Sequence, residues 1–382
     1  MTELSDKNFK SDLWEYLSGT DKKIVMYGMG AGAEKIIAVC NSKKIEVHDF
    51  FASDGFVRGH SFKGKKVLSF TEAKEKYGAQ NMIVLLSFAT CLEGVIENIR
   101  KIAAECELYV PDVPVSGGEI FDSDFYSRHR AEIDFVRGLL SDDASKALYD
   151  DIISFKLSGK TNFLFGNSWA KKDIYSLISS RGKIKIAADF GAYNGDTARE
   201  CFEYFPGIEK IIAVEPDPKN FIKLSAFADE QNTRNPSKKI IPLLSAVWST
   251  DGIIRVQSGG NRNSNIYGSL GFAPDRQEGT RLPKKAEVEI ISRSADSIFA
   301  EYGFVPDYIK YDVEGSEREA LLGTRQTIKS RAPALLVSLY HRSEDIFDLP
   351  LLIHNMRRDY EFYLVKPEYI PAWDIGLVCL KK

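Results

Sequence analysis

Apolar residues along residues 22–110 fall in short continuous runs separated by stretches of helical period. KKIVMYG, IEVHDFFAS, NMIVLLSF and ELYVPDV read as buried strands. GAGAEKIIAVCNS, FTEAKEKYG and CLEGVIENIRKIAAE, which lie between them, carry apolar positions at three- and four-residue spacing and read as helices. A βαβαβαβ order of this kind predicts a parallel sheet covered by helices. Residues 119–182 lose the strand signal. DFYSRHRAEIDFVRGLL and DDASKALYDDIISFKL predict two helices, with an N-cap at Ser141-Asp142. From residue 183 the alternation restarts with KIKIAADFG, a helix over Thr197–Phe205, EKIIAVEP, a helix over Lys219–Asp229 and KKIIPLLSAVWS, read as one strand. Short strands and a polar loop follow, then SADSIFAEYG (helix), DYIKYDVEG (strand), a helix over Glu317–Lys329, APALLVSLYH (strand) and the helix IFDLPLLIHNMRR. EFYLVK and DIGLVCLKK predict two last strands closing the sheet with an antiparallel edge.

The pattern therefore predicts an α/β protein of three parts: a smaller parallel domain over 1–118, a helical connector over 119–182 and a larger α/β domain over 183–382. Its 382 residues, 44% hydrophobic, are enough for two cores. With 51 basic against 54 acidic residues and a net charge of −3, the chain has no basic excess to bind nucleic acid or anionic lipid. The cysteines Cys40, Cys91, Cys106, Cys201 and Cys379 form no CxxC pair, which points to a reducing compartment. MTELSDKNFKSDLWEYL has no apolar core of a signal peptide, and no run approaches the roughly 18 apolar residues of a membrane span. These features predict a cytoplasmic protein without a membrane span; oligomeric state is left open.

The run Asp189-Phe190-Gly191-Ala192-Tyr193-Asn194-Gly195-Asp196-Thr197 joins a strand to a helix. Glycines there permit a sharp turn and close backbone approach to a ligand, and the helix start offers free N–H groups to a carboxylate. The spacing is G-x-x-x-G, unlike the dinucleotide fingerprint GxGxxG. Glu215, about 20 residues on at the end of IIAVEP, stands where a βαβ unit holds an acid for ribose hydroxyls. Singly these are an ordinary turn and a strand end; in this order they predict an adenosyl-ribose site. Lys310, Asp312 and Glu314 alternate along DYIKYDVEG and are expected on one side of the sheet, with His341 at the end of the neighbouring strand. Two acids and a lysine on one strand face are poor plain core. His341 or Asp312 is then a candidate general base, and Lys310 a catalytic partner. Asp312, Glu314 and His341 could also supply oxygen and imidazole ligands to a metal, but without HxxxH or a close Asp pair no metal is expected. His48, His60, His129 and His354 have no such company.

DFGAYNGDT, VEPD, DYIKYDVEGSE and SLYHRSEDIFDLP resemble the successive motifs of FkbM-type methyltransferases over about residues 186–381. The resemblance implies a class I methyltransferase fold, a Rossmann-like sheet, with S-adenosylmethionine as donor and O-methylation of a sugar, glycan or natural-product hydroxyl. It implies cofactor roles for Asp189, Gly191, Ala192, Asn194, Gly195, Glu215, Pro216, Asp217 and, beside the adenine, Ala246. The acceptor is then a small molecule or sugar, nucleotide-linked forms included. Glu314 is a candidate acceptor contact. So is Asn265, with Arg262 and Tyr267, in the polar stretch 258–285, which is long enough to form a lid.

In the N-terminal part, Gly28-Met29-Gly30-Ala31-Gly32-Ala33 follows a strand and opens a helix, a nucleotide-loop pattern. Gly28, Gly30 and Gly32, with Asp54 past the next strand, make a second candidate nucleotide site. This region resembles the Rossmann-like N-terminal domains of sugar-modifying acyltransferases, which implies nucleotide-sugar binding. The alternatives are a nucleotide-sugar or NAD-dependent enzyme using this loop, or a non-catalytic module that docks.

Overall fold

The computed structural model describes residues 11–57, 59, 61–257 and 287–382. Each half is built on one sheet, all parallel in the first and mainly parallel in the second. In the first, the spatial order is Leu68–Ser69, Asp49–Ala52, Lys23–Tyr27, Met82–Leu86, Glu107–Tyr109, all parallel. Met82–Leu86 is buried at every position, as a strand with both faces covered must be, and this is why it reads as an unbroken apolar run. Ala31–Ser42, Phe70–Tyr77 and Glu93–Glu105 are the connecting helices. Phe70–Tyr77 starts at a capping box, with Ser69 accepting from Glu72 N and Glu72 accepting from Ser69 N. The two-residue edge strand Leu68–Ser69 was not anticipated, being too short to carry a period.

The second sheet has seven strands in the order Lys239–Leu243, Lys210–Val214, Ile186–Phe190, Tyr308–Tyr311, Ala334–Ser338, Gly376–Lys381, Tyr360–Val365. Only Gly376–Lys381 runs antiparallel to its neighbours. The two last strands close the sheet as an antiparallel pair, with Gly376–Lys381 between Ala334–Ser338 and the edge strand Tyr360–Val365. The first five residues of Gly376–Lys381 are buried and need cover on both flanks, whereas Tyr360–Val365 alternates. The outer backbone of Tyr360–Val365 is in turn covered. Ser141 N donates to Phe362 O (2.9 Å), Phe362 N donates to Ser141 Oγ (2.9 Å), and Leu364 N donates to Ser145 Oγ (2.9 Å). These groups belong to the helical segment, Ser123–Leu139 and Asp143–Ser158, tied together by a bidentate Arg137–Asp150 pair at 2.7 and 2.8 Å. Asp142 is the cap, accepting from Ser145 N. One buried apolar cluster runs from Val25 and Val84 through Tyr149 and Ile152 to Tyr311 and Leu377, so these helices are packed on both sheets.

Two expected elements are divided. KKIIPLLSAVWS becomes Lys239–Leu243 at the edge of the large sheet, where Pro242 is tolerated, and Ala246–Val247, which pairs with Glu287–Arg293 in a small three-stranded sheet. The helix expected over 317–329 breaks into Glu317–Leu322 and Arg325–Arg331. At Gly323, between them, a Cβ would lie 1.9 Å from the Trp248 carbonyl oxygen. Chain order reverses between Ile186–Phe190 and Tyr308–Tyr311, the switch point outside which ligands of open α/β sheets bind.

Candidate functional site

Strand Ile186–Phe190 ends in a turn that only glycine accommodates at two positions. Gly191 (φ 88°) lies so close to the exit of Tyr308–Tyr311 that a Cβ would come within 1.8 Å of the Asp312 carbonyl oxygen. Gly195 (φ 85°) starts the helix Asp196–Tyr204, and a Cβ there would meet the Phe227 ring at 2.5 Å. Gly191 N and Ala192 N both donate to Val214 O at 3.0 Å, and Ala192 is fully buried. Tyr193, held at φ 46° and 39% exposed, donates its N–H to Glu215 Oε2 at 2.8 Å. Glu215 is buried, and its other oxygen accepts from Asp217 N at 2.9 Å. The carboxylate thus braces the glycine turn. Asp217 caps Pro218–Arg234 through Lys219 N (2.6 Å) and Asn220 N (3.3 Å), with half-buried Pro216 between it and Glu215. Asn194 accepts from Arg199 through its carbonyl (3.2 Å) and side-chain oxygen (3.4 Å). Ala246, half-buried, opens the short strand just past Lys239–Leu243. The nine expected cofactor positions therefore cluster at the carboxyl ends of three adjacent strands. Arg262, Asn265 and Tyr267 lie outside the described residues.

Asp189 is 1% exposed, and neither carboxylate oxygen has a hydrogen-bond partner. Burial pushes its pKa up to about 7, against the pull of Lys310. Lys310 lies in register with it on the next strand and donates to Thr197 Oγ1 at 3.1 Å, with Asp312 Oδ2 at 3.2 Å. Burial would lower the Lys310 pKa, but the carboxylates of Asp312, Asp189 and Asp196 outweigh it and hold the ammonium charged. Asp312 Oδ1 accepts from Ser338 Oγ (2.9 Å) and Tyr340 OH (3.0 Å). Burial would raise its pKa; Lys310 and His341 bring it below the usual carboxylate range. Lys310 and Asp312 line a cleft of about 190 Å³ together with Thr197, Glu200, Lys171 and Asp374.

The strand period stops at Tyr311, so Glu314 does not share a strand face with Lys310 and Asp312 as expected. It sits in a left-handed turn, Glu314 (φ 55°) followed by Gly315 (φ 97°). From the linker between the halves, Ser116 Oγ donates to Glu314 O at 2.6 Å and Ser116 N to His341 O at 3.0 Å. His341 stands three residues beyond Ala334–Ser338 and has no exposed surface. Its Nδ1 is 2.9 Å from Glu317 Oε1, and its Nε2 is 3.4 Å from Glu314 Oε2 and 3.7 Å from Asp312 Oδ1. Burial alone would lower the imidazole pKa; Glu317 and Glu314 carry it well above the ordinary value. Glu317, 1% exposed, accepts from Val313 N (2.9 Å) and Gly315 N (3.0 Å). Buried Asp345 accepts from Arg342 N at 2.7 Å, and its pKa is pushed up to about 8 by burial and then by Glu317. Sequence reasoning did not single out Glu317, Asp345 or Ser116. Glu317 looked like an ordinary acid in a first helical turn, and nothing local marks the other two.

In the N-terminal half, Gly28 and Gly32 are taken up by packing. A Cβ at Gly28 would meet Phe88 and Ser87 Oγ at 2.7 Å, and one at Gly32 would lie 2.2 Å from Ser87 O; only Gly30 faces open space. Asp54, expected to grip a ribose, caps a helix instead, accepting from Phe70 N (2.8 Å), Thr71 N (3.3 Å) and Thr71 Oγ1 (3.0 Å). A helix start with unpaired N–H groups lay nearer to hand than any ligand.

Residues 189–362 match the model of the Methyltransferase FkbM domain. The crystal structure of methyltransferase FkbM from Methylobacillus flagellatus is similar over both halves. It shares 20% identity, with 96% of this chain and 92% of that one covered, at a TM-score of 0.69. Weaker likenesses include precorrin-6y C5,15-methyltransferase from Geobacter metallireducens (11% identity, 55% and 87% covered, TM-score 0.30). Aeropyrum pernix fibrillarin with bound S-adenosyl-L-methionine is another (12%, 55% and 74%, TM-score 0.31). No curated protein matches the chain. No helix among the described residues is long and apolar enough to cross a membrane.

Proposed function

The chain is an S-adenosylmethionine-dependent methyltransferase of the FkbM type, and on that premise we propose that it methylates a hydroxyl of a small molecule or sugar. The observation that carries the reading is the polar cleft at the switch point, lined by Lys310, Asp312, Thr197, Glu200 and Asp374. Donors and acceptors set around one hollow suit a polyhydroxylated ligand.

The residues present fit the donor. Asp189 offers two buried carboxylate oxygens that lack partners, a place for an ammonium group. Gly191 and Gly195 bring backbone where side chains would stand, and Glu215, buried at the end of the next strand, stands where a βαβ unit holds an acid for ribose hydroxyls. Ala192, Asn194, Pro216, Asp217 and Ala246 complete that wall. The donor supplies an electrophilic methyl group carried on a sulfonium. What the chain must add is alignment of the acceptor oxygen and removal of its proton. Asp312 lines the cleft and takes the role of base, with Lys310 holding its second oxygen in place. His341, without exposed surface, supports Asp312 from behind rather than meeting the acceptor. Glu314 stands at the same turn as an acceptor contact.

Residues 1–118 act in this reading as a docked companion domain, since Gly30 alone of the glycine run faces open space. The net charge of −3 argues for a small acceptor over nucleic acid, and the free cysteines suit a reducing cytoplasm. The test is to incubate the full chain with S-adenosylmethionine and panels of sugars, nucleotide-sugars and hydroxylated natural products. Release of S-adenosylhomocysteine with a methyl ether in the product is expected. Transfer to nitrogen or carbon, or none to any hydroxyl, overturns the reading.

A further inference from the structure

Behind the cleft, carboxylates converge on one imidazole more closely than the methyl-transfer scheme requires. Asp312, Glu317 and His341 each offer a ligand atom within 4.8 Å of the other two. Atoms about 2.1 Å from a shared ion lie roughly 3–4.2 Å from one another, so the spread fits a coordination sphere after only slight contraction.

One further observation points the same way. His341 is wholly buried, carboxylate oxygens stand 2.9, 3.4 and 3.7 Å from its ring nitrogens, yet neither nitrogen makes a well-directed hydrogen bond. A buried imidazole left without a hydrogen bond beside three carboxylates is a polar group still open to a cation, which would bind its neutral form in place of a proton. The turn between Asp312 and Glu317 is fixed by Ser116 Oγ on the Glu314 carbonyl and Arg342 Nε on that of Gly315 (3.0 Å).

We propose that Asp312, Glu317 and His341 form a site for a divalent cation, set behind the acceptor cleft that Asp312 lines. Two carboxylate oxygens and one imidazole nitrogen suit a hard-to-borderline ion such as Mn²⁺ or Mg²⁺. Glu317 is preset for the task by Val313 N and Gly315 N, and Asp312 by Ser338 and Tyr340. Glu314 stands beside the same imidazole, its Oε2 3.4 Å from His341 Nε2, and no sequence spacing marks the site because its ligands come from a turn and from the exit of the next strand. Resting on the hydroxyl-methylation reading, the ion would act on the acceptor through Asp312, the one ligand of the three that lines the cleft.

The test is a titration of chelator-treated full chain with Mn²⁺, following free ion by electron paramagnetic resonance, with S-adenosylhomocysteine binding measured on the same samples. One Mn²⁺ per chain is expected, displaced by Mg²⁺. Affinity should fall at least tenfold in His341→Gln and Glu317→Gln, and also in Asp312→Asn, whose partly exposed side chain makes a folded variant the expected result. Thermal melts certify each fold. Absence of binding to the wild-type chain, or binding unchanged in folded Asp312→Asn, overturns the site. Mn²⁺ bound with no hydroxyl acceptor methylated would leave the metal site standing and remove the acceptor reading.

Discussion

Replacing Asp189 by asparagine should make the protein more stable at alkaline pH and change the pH dependence of its stability. Burial holds the pKa of the carboxyl at about 7 in the fold, well above its ordinary 3.8. At 1.36 kcal/mol per unit, ionising it in the fold costs about 4 kcal/mol relative to the unfolded chain. A raised folded pKa means that stability from this group is fully present below about pH 4 and is lost as pH climbs through about 7. The asparagine has no proton to lose, but buries an amide with no partner, at a cost of roughly 1–3 kcal/mol. The variant should therefore be less stable than wild type at pH 4.5 and more stable, by about 1–3 kcal/mol, at pH 8. Urea midpoints from pH 4.5 to 8.5 for both proteins test this, together with S-adenosylhomocysteine titrations, in which the variant should bind more weakly for want of a counter-charge. A difference in midpoint that stays constant across the range would show that Asp189 is not held uncharged by burial, and the argument for an unsatisfied acid under the glycine turn would fall with it.

Glu215→Ala should lower affinity for the donor on the order of 100-fold or more, since two hydrogen bonds to a charged group contribute about 1.5–3 kcal/mol each; calorimetry with S-adenosylhomocysteine checks it. Asp312→Asn should reduce kcat by about 10²–10⁴ while donor affinity stays within a few-fold, and a variant that keeps most of its turnover would leave Asp312 a purely structural residue. Lys366 is fully buried, and burial draws its pKa down to about 8, so its contribution to stability is present at high pH and lost as pH falls through 8. Lys366→Met should raise the thermal midpoint at pH 7 and have little effect near pH 10, despite losing the bonds to Leu164 O and Pro367 O.

Periodicity made most of the secondary structure legible, because strands such as Met82–Leu86 are buried on both faces and helices such as Glu93–Glu105 bury one stripe. It failed where the deciding contact is distant in sequence. The break at Gly323 answers to the Trp248 carbonyl. The cofactor wall was readable because it follows the chain through two glycines and two acids at strand ends. The ring around His341 was not, since Glu317 and Asp345 each look like an ordinary helix-start acid. Only their convergence on one buried imidazole distinguishes them.

The N-terminal glycine run follows a strand and opens a helix, as Gly-x-Gly-x-Gly predicts, and Ala31–Ser42 begins there. Close packing demands glycine at two of its positions, since a Cβ at Gly28 would meet Phe88 and Ser87 and one at Gly32 the Ser87 carbonyl. The same half reaches the site by another route. Lys35 Nζ, on that first helix, donates to Val115 O at 2.5 Å; Ser116 then holds the backbone of both Glu314 and His341, and Glu119 O accepts from Ser343 Oγ at 2.7 Å. A linker so engaged cannot shift without moving the turn that carries Glu314.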